Sequence, residues 1–282
     1  MANRKLDMGK AWTQATGMIG ANRETITAIA GLFFFMPSFA GGVFVPDVGS
    51  GPAASPSGAD PEVAFRALVE GVSALYAQYW PLLLALSVIQ FIGSLGLLAL
   101  LSDRGNPTVG EALKTGLKSS PSYLAAQLIS ALGAALAFGL VVGGIGSVAP
   151  VAVATLAMLV LLVVALWLFI RLSLTAPVIA IEGVLNPLTA LARSWRLTKR
   201  NSLRILLFYF LLIFTIGIIA ALVSGILGLV LGAFGEPVAS IGIDLVSALV
   251  NAVVTVIFLV VTAAIHRQLA DPSPAAMADV FE

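Results

Sequence analysis

Apolar residues gather into six long runs, at 26–45, 81–101, 123–143, 151–169, 205–227 and 238–265, and only the last contains a charge, Asp244. A run of about 20 apolar residues wound as α-helix crosses a hydrocarbon core of roughly 30 Å. Six transmembrane helices are predicted. The first run is longer than the roughly 7–15 apolar residues of a cleaved signal peptide, which favours uncleaved insertion.

Polar stretches between the runs have a helical period of their own. Met8, Ala11, Trp12, Ala15 and Met18 share one face of a helix before the first span. Thr108 and Glu111 have the spacing of a capping box ahead of the third span. Asn186-Pro187 starts a helix ahead of the fifth, because proline at the first helical position loses only an N–H that has no intrahelical partner. These three predict amphipathic helices lying in the membrane interface. A further short amphipathic helix is expected over 61–80, ending in the aromatic belt of Tyr76, Tyr79 and Trp80.

The openings Met8-Gly-Lys-Ala-Trp, Val109-Gly-Glu-Ala-Leu and Leu188-Thr-Ala-Leu-Ala each precede an apolar hairpin. They predict a three-fold pseudo-repeat of interfacial helix plus hairpin. Such repeats frame substrate sites in transporters, and they also arise by duplication of a stable insertion unit. Ala131, Ala135, Gly139 and Gly143, and again Gly217, Ala221 and Gly225, form small-residue stripes of the kind that lets helices pack closely in lipid. The fold expected is all-α: one six-helix transmembrane domain over 1–270, a solvated loop at 46–62, and a disordered cytoplasmic tail at 271–282.

Composition agrees: 59% of the 282 residues are hydrophobic and 10% charged, with a mean hydropathy of +1.04. The distribution of charge says more than the net of +1. With the N-terminus inside, every Lys and Arg but Arg66 lies in an inner segment, while Asp47, Asp60, Glu62, Glu70 and Glu236 lie outside. The positive-inside rule then predicts both termini in the cytoplasm. With no cysteine, thiolate chemistry is excluded, and the single histidine, His266, reads as an interfacial residue closing the last span.

Chemical individuality concentrates at 171–204. Arg193, Arg196, Lys199 and Arg200, with Trp195, are candidates for binding lipid headgroups, each cation near an anionic surface being worth about 1 kcal/mol; anchoring of the flanking spans is the alternative. Arg171 sits at the edge of the fourth span with Pro177 and Glu182 close behind. A cation at membrane depth costs several kcal/mol unless it snorkels or pairs. The segment is therefore a candidate membrane break with an Arg171–Glu182 ion pair, or else Arg171 snorkels. Asp244, Gln90 and Asn251 are candidate intramembrane polar groups, of which Asp244 is also readable as solvated at the outer end of its span.

Arg171-Leu-Ser-Leu-Thr-Ala-Pro177, Glu182-Gly183 and Ala190-Leu-Ala-Arg-Ser-Trp-Arg-Leu-Thr198, followed by a new span, resemble the glycerophosphoryl diester phosphodiesterase membrane domain family and related bacterial inner-membrane proteins of unknown function. The resemblance is sharpest over 171–205. It implies a bacterial inner-membrane location and the membrane part alone. The catalytic domain that names the family carries a His-Arg-Gly motif, whereas His266-Arg267 is followed here by Gln268. The expectation is a non-enzymatic protein without cofactor or metal that binds or organises lipids, anionic headgroups at the cytoplasmic face above all, or scaffolds an envelope partner. A membrane-protein partner or a homo-oligomer fits that reading, and nucleic acid does not. The alternative is a small-molecule or ion transporter or channel built from the repeated hairpins.

Overall fold

A computed structural model describes residues 5–46, 61–102, 108–146 and 151–270. The expected loop at 46–62, apart from its ends, and the tail at 271–282 lie outside them. The described residues are helical, with no strand among them. Helices α1 (Met8–Ala21), α2 (Arg23–Ala30) and α3 (Met36–Phe44) are followed by α4 (Pro61–Leu100), α5 (Val109–Gly146) and α6 (Val151–Leu172). The chain continues through α7 (Thr175–Ala180), α8 (Pro187–Thr198), α9 (Ser202–Gly232) and α10 (Val238–Ala270).

Six stretches are long and apolar enough to cross a membrane: Arg23–Phe44, Ala67–Leu100, Val109–Leu140, Leu156–Ala180, Ser202–Gly232 and Val238–Ala270. Their outer faces carry large apolar side chains left exposed, among them Leu132, Leu136, Leu162, Val163, Phe214 and Leu222. A surface so continuous in apolar side chains is at home only in lipid. The chain is a multi-pass integral membrane protein.

Helix boundaries differ from expectation where prolines sit. No break separates 61–80 from the second span, nor 108–122 from the third: α4 runs through Pro81 and α5 through Pro121. Proline removes one ladder hydrogen bond, and a long helix absorbs that loss. The first span instead is divided. A π-helical turn, Gly31–Phe35, joins α2 to α3, and Pro37 stands at the start of α3. The extra residue of a π turn shifts the ladder just ahead of the residue that cannot donate to it.

The chain packs as two compact units. The first comprises Met1–Asn22, Ser94–Ile213 and Phe258–Glu282, and the second Arg23–Gly93 and Phe214–Ile257. In the first, α5, α6, α7 and α8 pack on one another. Leu174, Val178 and Ile179, in and just before α7, are fully buried at its centre. Asp7 caps α1, its side chain accepting from the Lys10 N–H at 3.0 Å. The chain just before α1 is tied down by backbone recognition: the Leu6 N–H donates to Asn201 Oδ1 at 2.9 Å, and Arg204 Nη1 donates to the Leu6 carbonyl at 3.1 Å. Gln268 does the same for Asp7, accepting from its N–H and donating to its carbonyl, each at 3.2 Å. Thr108 and Glu111 form the reciprocal cap of α5, with the Thr108 N–H donating to Glu111 Oε2 at 2.9 Å.

In the second unit the closest helix approach is at Gly93 of α4, where a Cβ would come within 2.3 Å of Phe33 Cβ in the π turn. The small-residue stripes are placed differently from expectation. A Cβ added at Gly139, Gly217 or Gly225 meets no described atom within 4 Å, and Ala131 and Ala135 are exposed. At these positions the stripes make no close contact with the described residues, and the surroundings of Gly143 lie outside them.

Candidate functional site

The site is built where α6 stops. A helix end leaves its last carbonyls without donors from the next turn. Here the Arg171 carbonyl accepts from Ser194 Oγ at 2.8 Å and from Thr198 Oγ1 at 3.3 Å, both on α8. Asn186 caps α8, accepting from the Thr189 N–H at 3.2 Å, with Pro187 as its first residue. The buried face of α8 is therefore Ala190, Ser194 and Thr198, four apart, small or hydroxylated.

Leu188, Leu191 and Trp195, on another face of α8, line an open groove. Leu172, Thr189, Ala192 and Arg196 complete its walls, around a volume of about 750 Å³. Its lining is apolar apart from Thr189 and the exposed Arg196. Lys199 and Arg200 follow, exposed, at the end of α8.

Behind Trp195 lies Arg171, only 9% exposed. Its guanidinium carbon is 5.1 Å from the centroid of the Trp167 ring and 5.2 Å from that of Trp195, and the two indoles meet edge to face at 4.9 Å. A cation over an aromatic face gains about 0.5–2 kcal/mol, whereas desolvating a charge costs several. Nε and Nη1 of Arg171 are buried without hydrogen-bond partners.

Arg171 and Glu182 do not form the pair that the sequence suggests. Glu182 takes Arg193 Nε, at 3.3 Å to Oε1 and 3.0 Å to Oε2, and His266 Nε2, at 3.0 Å to Oε1. The chain path explains the exchange of partners. The α6 helix breaks at 173–174, ahead of Pro177, which then stands in the first turn of α7 where its missing N–H is not needed. Glu182 comes after α7, and Gly183 turns the chain there with φ +76°, a conformation that glycine adopts without strain. Burial pushes the Glu182 carboxyl up, but hydrogen bonds from His266 and Arg193 and their charges outweigh it and hold it down at about 2.

His266 is 3% exposed, buried within the first unit against Glu182. The signal for it was present but indirect: once the spans are oriented alike, the end of the sixth falls at the same membrane level as the end of the fourth. In the second unit, Asp244 is half-buried on α10, its carboxylate 3.3 Å from where a Cβ on Gly42 would stand. Asn251 donates to Ser38 Oγ of α3 at 2.8 Å, and Gln90 is half-buried on α4.

The family model for the membrane domain of glycerophosphoryl diester phosphodiesterase matches residues 150–270. That stretch runs from α6 through α10 and contains Arg171, Glu182, Arg193, Trp195, Arg196 and His266. No curated protein and no solved structure matches the chain at a significant level. The resemblance read at 171–205, which already holds Arg193 and the wall of the groove, thus extends to His266.

Proposed function

We propose that the protein is a non-enzymatic, multi-pass protein of the bacterial inner membrane that binds lipid in the groove along α8. The observation that carries this reading is the lining of that groove: apolar walls from Leu172, Leu188, Leu191 and Ala192 suit an acyl chain, and Trp195 and Arg196 suit the headgroup boundary. In this reading α1, α8 and the start of α5 are amphipathic helices at the cytoplasmic interface, repeated ahead of each hairpin. The basic residues Arg196, Lys199 and Arg200 then face anionic headgroups, while Arg193 is held by Glu182, and both termini are cytoplasmic.

Two expected outcomes test it. Wild-type protein purified in neutral detergent should carry lipid visible by native mass spectrometry, and Leu191→Trp, which fills the groove, should lose most of it. Equal lipid content in the two, with both folded, would count against the groove. For the topology, reporter fusions at positions 55 and 195 should report opposite sides of the membrane, with 195 cytoplasmic; the same side for both would sink the topology.

A transport role is the second reading. What favours it is the Glu182–His266 pair, a carboxylate and an imidazole in contact in the interior, which is chemistry suited to moving a proton.

A further inference from the structure

The last turn of α6 holds a cation that the described residues do not neutralise. Glu182, the acid nearest to it in the sequence, is committed to Arg193 and His266. The guanidinium of Arg171 is enclosed by two indoles, and two of its nitrogens have no acceptor. Stacking on aromatic faces restores only part of what a guanidinium loses on leaving water, and buried polar groups in native proteins are almost always hydrogen-bonded. A missing acceptor at a buried arginine points to an anion.

One residue connects this cation to the groove. Trp195 covers Arg171 with its ring and is also part of the groove wall, and Leu172, the next residue after Arg171, lines the same groove. Trp195 thus contacts both the guanidinium and the space of the groove. Arg196, exposed at the rim, adds a second positive charge along the same approach.

We propose that Arg171 is the phosphate-binding residue of the groove, accepting a phosphate ester while the groove holds whatever apolar part the ester carries. This rests on the reading of the groove as a ligand site and names the chemistry it selects. Planar guanidinium donors match phosphate oxygens in direction as well as charge, and a site enclosed by indoles strengthens each such bond by excluding water. The two cation–π contacts keep the guanidinium oriented while the site is empty, so that little ordering remains to be done on binding.

The test uses the full chain in neutral detergent with Trp12→Phe and Trp80→Phe, so that emission comes from Trp167 and Trp195 alone. Short-chain phosphatidylglycerol, short-chain diacylglycerol, which has the acyl chains without a phosphate, and glycerol phosphate are titrated separately. Phosphatidylglycerol should shift the emission, and Arg171→Met should weaken its binding at least tenfold while diacylglycerol binding changes less than twofold. Arg171→Lys should recover part of the loss. If glycerol phosphate binds as tightly as phosphatidylglycerol, the phosphate comes from a soluble ester; if it binds far more weakly, it comes from lipid. Either outcome supports phosphate recognition by Arg171.

Folded Arg171→Met that binds phosphatidylglycerol like wild type overturns the proposal. Should Arg171→Met not fold, the wild-type background still decides: phosphatidylglycerol and diacylglycerol binding equally tightly overturns it as well. The two readings fail separately. Loss of both lipids in Leu191→Trp with no effect of Arg171→Met leaves the groove standing without the phosphate site, whereas wild type binding none of the three probes removes both.

Discussion

Gly93→Ala is expected to lower the stability of the protein by about 3 kcal/mol, the upper range for forcing an extra carbon into a packed interior. The added Cβ would stand 2.3 Å from Phe33 Cβ and 2.8 Å from Phe33 Cγ. Those atoms are the root of the side chain, fixed to the backbone of the π turn, so no rotamer change relieves the clash and the helices must separate. The control is built into the same chain. Gly139→Ala and Gly217→Ala place a methyl where no described atom lies within 4 Å, and a helix prefers alanine to glycine. Unfolding by graded denaturing detergent, followed by circular dichroism, should show a large loss for Gly93→Ala and none for the other two. Equal behaviour of all three would mean that α4 and the π turn are not in contact as described.

The second large effect is expected at Glu182. Glu182→Leu leaves Arg193 and the buried His266 without their acceptor, and breaking a buried ionic cluster by removing one member costs several kcal/mol. Because the Arg193 side chain is 33% exposed, part of that loss is screened by solvent, and about 2–3 kcal/mol is expected. The cluster also sets a pH dependence. A carboxyl that titrates near 4.5 when unfolded is held at about 2 in the fold. Its contribution to stability is therefore complete above pH 4.5 and is lost as pH falls towards 2. Thermal unfolding of wild type should weaken over that interval, and Glu182→Gln should flatten this limb of the profile. An unchanged slope in Glu182→Gln would mean that Glu182 is not held as an ion by the fold.

Particular residues show how far the sequence reaches. The capping box at Thr108 and Glu111 and the start of α8 at Asn186-Pro187 are local: their partners lie within three residues, so spacing alone identifies them. The glycine that packs is not legible in this way. Gly139 and Gly217 belong to regular small-residue stripes and meet nothing, while the isolated Gly93 takes the closest approach, because what a glycine faces depends on a helix far away in the chain. The inward face of α8 is hidden for a related reason. Apolar periodicity identifies a face that avoids water, whereas the face that α8 turns to the end of α6 carries hydroxyls that satisfy its carbonyl.

The sequence by itself determined that six segments suit a membrane, that 171–204 carries the distinctive chemistry, and that its pattern resembles the family matched at 150–270. These follow from hydropathy, helical period and short-range spacing, which depend on neighbours along the chain. Only the tertiary structure decided who meets Arg171 and Glu182. Sequence proximity suggested each other; the break at 173–174 and the turn at Gly183 instead put Arg171 against two tryptophans and Glu182 against Arg193 and His266. Charges pair according to distance in space, and a partner 84 residues away in the chain is invisible to any local pattern.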